Sequence, residues 1–226
     1  MNPQGIESGP GAVRVAAPPA RAPAARRRYL AVFRAGPNSV HRRLLLEDPG
    51  RNWDCAVNWW SEPPPLSEPA AAEELAFAGG ENKFDGFAAF FARAWQPDWD
   101  YRYVLLADDD VYFQPGDLSR LFECCERHAV QLGQPALRWG TNVNHLVTAW
   151  NPMSTLRRVS FVEVMTPVFA LATLRELVPT FTLSRSTFGI DWAWSALLQG
   201  RGAIHVVDAI RVDHLKPVDW AAGALY

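Results

Sequence analysis

The sequence is poor in cysteine: of its three, Cys55 stands alone and Cys124 and Cys125 are adjacent, so there is neither a CxxC pair nor an even, spaced framework. That excludes a disulfide-stapled secreted module and a cysteine-built zinc site, and leaves the thiols as reduced packing residues. Long apolar runs are missing too. No stretch approaches the ~20 consecutive apolar residues that span a bilayer, and the N-terminus lacks the apolar segment of a secretory signal. A cytoplasmic setting without a transmembrane segment is the resulting expectation. Nor is there an excess of basic charge. A formal net charge of -2 leaves nothing to neutralise a run of phosphates, which excludes a general nucleic-acid binder. Small anionic ligands, met by local features, stay open.

What is present is apolar mass: 49% of the 226 residues, enough for one substantial core. Residues 1–28, rich in Pro, Ala, Gly and Arg and without a hydrophobic period, read as a disordered leader. The basic run Arg26, Arg27 and Arg28 reads as solvated, with peripheral contact to anionic lipid headgroups as the other reading. Residues 29–226 then form a single domain. The ten tryptophans belong in cores, interfaces or stacking surfaces, and the apolar C–H faces of sugar rings stack on indoles.

Tyr29-Leu-Ala-Val-Phe33, a short apolar run stopped by Gly36-Pro37, predicts a buried strand and a turn. Residues 54–60 repeat the pattern before Pro63, Pro64 and Pro65 force a loop. Phe84, Phe87, Phe90, Phe91 and Trp95 recur at helical spacing, so one helix face is strongly apolar. Tyr103 to Ala107 predicts a further buried strand, and Leu118, Leu121, Phe122 and Cys125 mark a helix from about Asp117. This alternation indicates a parallel α/β sheet with its ligand site beyond the strands' carboxyl ends. Beyond Gln134 the pattern becomes mixed and loop-rich. Short strands are expected at 136–139, 143–149, 159–164 and 203–207, with two helical stretches among them.

The chemistry gathers at a strand end, where Val104 to Ala107 lead straight into Asp108, Asp109 and Asp110. Three adjacent carboxylates repel one another and lose solvent, which raises their pKa values unless a cation compensates; oxygen ligands suit Mn2+ or Mg2+. Mg2+ keeps water and substrate phosphate in most of its octahedron, so a protein site this small implies a phosphate-bearing substrate. A solvated acidic turn is the plain alternative. His214 offers a ring nitrogen to the metal and Lys216 an ammonium to a diphosphate, against a mere terminal cap for His214. Lys83, at a helix start after Gly79-Gly80, is either a further donor contact or a surface lysine. Asp191, ahead of the aromatic stretch Trp192 to Leu198, is either an N-cap or a general base. Glu163 sits within the apolar run from Val159 to Met165 and needs a partner or a ligand if buried. It is the second base candidate, or an acceptor-hydroxyl contact.

Arg34-Ala-Gly36, Leu106-Ala-Asp-Asp-Asp110, Gln134-Pro-Ala-Leu137, Phe161-Val-Glu-Val-Met165 with Pro167-Val-Phe169, Gly189-Ile-Asp191, and Asp208 with His214 resemble, in that order, domain-of-unknown-function family 707. Its members are grouped with GT-A-fold glycosyltransferases. The resemblance spans about Tyr29 to Asp219. It implies a GT-A-like, Rossmann-type nucleotide-binding α/β sandwich, with a mainly parallel sheet, a mixed acceptor half and a metal at the aspartate motif.

These readings combine into a metal-dependent glycosyltransferase. It would move a sugar from a nucleoside-diphosphate donor to a hydroxyl of a saccharide or other acceptor, with inversion and with Asp191 as base. Asp108, Asp110 and His214 are the expected metal ligands; Asp108, Asp109, Lys83 and Lys216 are the expected donor contacts. Two alternatives stand beside it: a metal-dependent phosphohydrolase, since strand-end aspartates also serve phosphoryl transfer, and a non-catalytic carbohydrate-binding module built on tryptophan surfaces.

Overall fold

Alternation along the first strand sets the architecture. Tyr29, Ala31, Phe33 and Ala35 enter one layer of core while Leu30 and Val32 enter another, so both faces of the strand are covered, as parallel α/β sheets require. A computed structural model of the chain describes residues 26–95, 99–201 and 204–217. Its strands are β1 (Tyr29–Ala35), β2 (Trp53–Trp59), β3 (Leu75–Ala78), β4 (Tyr103–Asp108), β5 (Val111–Phe113), β6 (Leu132–Leu137), β7 (Arg157–Arg158), β8 (Val168–Ala170) and β9 (Ile204–His214). Its helices are α1 (His41–Glu47), α2 (Lys83–Ala94), α3 (Asp117–Arg127), α4 (Leu171–Leu177) and α5 (Ile190–Leu197).

The strands form one sheet in the order β3-β2-β1-β4-β8-β6-β9-β5, with β7 also on β9. The first four are parallel. From β8 onward the sheet is mixed: β8 runs antiparallel to β4 and β6, β6 is parallel to β9, and β5 and β7 are antiparallel to β9. One face is packed by Leu44 and Leu45 of α1 and by Leu118, Leu121, Phe122 and Cys125 of α3. The other takes the phenylalanines of α2 with Leu174 and Leu177 of α4 and Trp194 of α5. The result is the expected α/β sandwich, parallel in its first half and mixed in its second.

Several local expectations change. Most of the expected leader, residues 1–25, lies outside the described residues, but Arg27 and Arg28 sit on the folded body. Arg27 pairs with Asp54 and Glu74 at 2.9 Å each, and Arg28 pairs with Glu126. The strand expected at 136–139 begins earlier, at Leu132. Of the stretch 143–149, residues 146–148 form a 3-10 turn. The stretch 159–164 joins no ladder: the Glu163 N–H donates to the Gln134 side chain at 2.6 Å, so its apolar pattern reflects burial of an irregular segment. Helix α1 and strands β3, β5, β7 and β8 add to the expected elements; they are too short for a clear period to mark them. Ala203 lies outside the described residues, and β9 runs unbroken through to His214.

Two features place the site. The chain leaves β1 towards β2 and β3, then returns to β4 on the other side of β1. That reversal is a topological switch point, where carboxyl-end loops diverge and leave a crevice. The second feature is a bulge in β9: Pro135 pairs with Val207, but the next residue, Ala136, pairs with Arg211. Asp208 within the bulge is fixed by the Arg157 guanidinium at 2.6 and 3.1 Å and by the Asn151 N–H at 2.9 Å.

Candidate active site

The aspartate triplet lies at the switch point, and its backbone is held from three directions. Asp108 N–H donates to Met165 O, Val40 N–H donates to Asp109 O, and Leu215 N–H donates to Asp110 O, all at 2.9–3.0 Å. Pairing of β5 with β9 sets His214 opposite Val111, hence beside Asp110, and carries Lys216 to the same edge.

Each carboxylate meets its own basic partner. Asp108 Oδ1 lies 2.6 Å from Lys83 Nζ, Asp109 Oδ1 lies 3.0 Å from Lys216 Nζ, and Asp110 Oδ2 lies 3.7 Å from His214 Nε2. Asp109 also takes the Gly36 N–H on its second oxygen at 2.9 Å. The donor contact expected of Asp109 thus competes with two protein bonds already made. The charge crowding read from the sequence is relieved in large part by the chain's own cations.

Asp110 is the least compensated. Burial, with Asp108 beside it, pushes its carboxyl up to about 6. His214 Nδ1 lies 3.0 Å from the Asn142 carbonyl, which can only accept, so Nδ1 carries a hydrogen and Nε2 is the ring nitrogen turned towards Asp110. The 3.7 Å between Nε2 and Asp110 Oδ2 is too long for a hydrogen bond. That donor set, one carboxylate and one imidazole oriented by a carbonyl behind it, fits a divalent cation whose other positions are filled by water and phosphate. Of the expected trio, Asp108 has one carboxylate oxygen paired with Lys83. Among the described residues no group of three His, Cys, Asp or Glu side chains stands ready for a metal.

Lys83 is not a surface lysine. It is buried at the start of α2, bridging Asp108 and the Val164 carbonyl, so it joins the parallel half to the irregular segment carrying Glu163. Its helix is started by Asn82, whose side chain accepts the Asp85 N–H at 2.9 Å. The turn before it is held by Arg34, whose guanidinium donates to the Gly79 carbonyl at 2.6 Å, the Gly80 carbonyl at 3.0 Å and the Asn58 side chain. Burial lowers the Arg34 guanidinium to about 10, and its Nε has no hydrogen-bond partner.

Glu163 and Asp191 occupy the far wall. Thr148 donates to Glu163, yet burial dominates and raises its carboxyl to about 7. Asp191 is also raised by burial. It is not the N-cap: Gly189 (φ 86°) holds that position, and Asp191 is the second residue of α5, accepting the Trp192 N–H at 2.9 Å. Thr187, also left-handed at φ 64°, and Gly189 bend the chain so that Phe188 and Asp191 both reach the cavity.

All eight residues singled out from the sequence, Lys83, Asp108, Asp109, Asp110, Glu163, Asp191, His214 and Lys216, line one cavity of about 270 Å3. Sequence reasoning missed Arg34 as a lining residue, and with it Trp60, Asn144, His145 and Thr187. Only Arg34 carried a signal, a guanidinium ending an apolar strand. The others stand in loops, where no period marks them.

No protein-family model matches this sequence, and no curated protein matches it either. In fold the chain is similar to the crystal structure of GalNAc-T7 with UDP, GalNAc and Mn2+, with a TM-score of 0.57 and 10% identity over 84% of this chain. The match covers 43% of that chain, so this protein spans less than half of its length. The likeness shows the class of fold: a GT-A-like α/β sandwich. Among the described residues no helix is long and apolar enough to cross a membrane.

Proposed function

We propose that the protein is a metal-dependent glycosyltransferase that moves a sugar from a nucleoside-diphosphate donor to an acceptor hydroxyl, with inversion. The observation that carries this reading is the convergence, in one cavity at a topological switch point, of strand-end carboxylates, two lysines and two buried carboxylates with raised pKa values. The similar GalNAc-T7 structure, with UDP and Mn2+, supports it. Kinship with domain-of-unknown-function family 707 belongs to the same proposal and rests on the order of the motifs.

Asp110 and His214 would hold the divalent cation, which when bound supplies Lewis-acid stabilisation of the leaving diphosphate. Lys83 and Lys216 present ammonium groups at the same edge and bind diphosphate oxygens there. Asp191, its affinity for a proton raised by burial, takes the acceptor's proton as the hydroxyl attacks the anomeric carbon. Glu163, held by Thr148 and Gln134, orients the acceptor beside it.

Thermal unfolding with UDP, other nucleoside diphosphates and their sugar conjugates, each with and without Mn2+, tests the reading. A nucleotide at ~100 times its dissociation constant stabilises by roughly 2.7 kcal/mol, and the gain should require the metal. Asp110→Asn should abolish the metal-dependent part while the apo protein stays folded. Metal-independent stabilisation in the wild type, or an unchanged response in Asp110→Asn, would refute the assignment.

A further inference from the structure

Helix α5 carries two tryptophans with opposite fates. Trp194 is fully buried against Phe84, Phe169 and Phe181, whereas Trp192 is 61% exposed. The exposed indole nonetheless has an aromatic partner behind it. Phe161, itself buried, packs behind it with ring centroids 4.7 Å apart, and His145 packs on Phe161 at 4.8 Å. His145 lines the cavity. An aromatic row therefore runs from the cavity wall to the surface and ends in a supported, open plane.

That plane is tied to the chemistry by one peptide unit, because the Trp192 N–H donates to the Asp191 carboxylate. Asp191 lines the cavity together with Asn144, His145 and Glu163, while the Trp192 indole stands next to it in sequence and outside that lining. A flat apolar surface one residue away from a cavity lined by hydrogen-bonding groups matches a ring with a C–H face and a hydroxyl rim. An acyl chain would need a continuous apolar channel instead.

We infer that the acceptor is a saccharide whose ring stacks on the Trp192 indole, an inference that rests on the glycosyltransferase reading. Because Phe161 already packs behind the indole before any ligand arrives, little ordering cost accompanies stacking.

Saturation-transfer NMR on the methyl glycosides of glucose, galactose and N-acetylglucosamine, with UDP and Mn2+ present, tests this. At least one glycoside should receive saturation on the C–H protons of one ring face, and Trp192→Ala should weaken its binding about tenfold, the loss of one aromatic contact. Trp192→Phe should keep part of the affinity, and Trp139→Ala, which removes an exposed indole elsewhere, should change nothing. Equal binding by Trp192→Ala, or no saturation of any glycoside by the wild type, overturns the inference. The wild-type melting shift with UDP and Mn2+ in the same samples separates the two failures. If the shift is present, only the acceptor assignment falls; if it is absent, the glycosyltransferase reading falls with it.

Discussion

Replacing Glu163 by Gln tests whether a buried acid is maintained at a cost in stability. In the folded chain its carboxyl is raised from 4.5 to about 7, chiefly by burial. The folded state therefore holds this proton more tightly than the unfolded state does. Its favourable contribution is complete below pH 4.5 and is lost as pH rises through about 7. A difference of roughly 2.5 pH units corresponds to ~3 kcal/mol at 1.36 kcal/mol per unit. The amide introduced by Glu163→Gln would imitate the protonated acid at every pH, keeping an oxygen for the Thr148 hydroxyl and the same backbone bond to Gln134. Wild type and Glu163→Gln should thus melt together near pH 4.5 and diverge above neutrality. By pH 8 the variant should melt higher by ~6–12 °C, at about 2–4 °C per kcal/mol for a chain this size. Scanning fluorimetry across that range reads the difference directly. Profiles that stay parallel would mean that Glu163 is ionised or solvated in the fold, and would refute the burial argument.

Three further outcomes are expected. Asp191→Asn keeps an oxygen for the Trp192 N–H, so its melting temperature should barely move while turnover falls ~10²- to 10⁴-fold; near-normal turnover, or a retained anomeric configuration by NMR, would pass the base role to Glu163. Lys83→Met leaves Asp108 without its ammonium partner. It should cost about 1–3 kcal/mol, less than the ~3–5 kcal/mol of a fully buried pair because Asp108 is partly solvated, and unchanged denaturant unfolding would contradict the bridge. Removing residues 1–25 should leave the melting temperature unaltered, since Arg27 and Arg28 already anchor the start of the body; a large fall in calorimetry would show that the segment docks.

What could be read from the sequence follows from how each feature is encoded. The parallel half was legible because the apolar runs Tyr29 to Phe33 and Tyr103 to Ala107 fill most of two buried strands, and because α2 repeats phenylalanine at helical spacing. The site residues were legible through chemistry: a carboxylate in an apolar setting is costly, and Asp108, Asp110 and Glu163 all stood in one. Apolar residues at 159–164 misled, since Phe161 and Val162 are buried in an irregular segment, with the Gln134 side chain rather than a strand carbonyl receiving the Glu163 N–H. Pairings between distant segments were not legible at all. Nothing local in Lys83 announces Asp108, and nothing in Arg34 announces the carbonyls of Gly79 and Gly80.

The bulge in β9 makes the site more sensitive to chain length than to side-chain identity. Upstream of it the strand is locked to β6 and β7, and downstream it delivers His214 and Lys216 to the aspartates. Successive strand residues point to opposite faces, so the number of residues between Val207 and Arg211 fixes the phase of everything beyond. Losing one of them would bring Leu215 to the place of His214 and Pro217 to that of Lys216. Substitutions in this stretch would be absorbed one contact at a time, whereas a single-codon deletion would exchange two of the triplet's three basic partners for apolar side chains at a stroke.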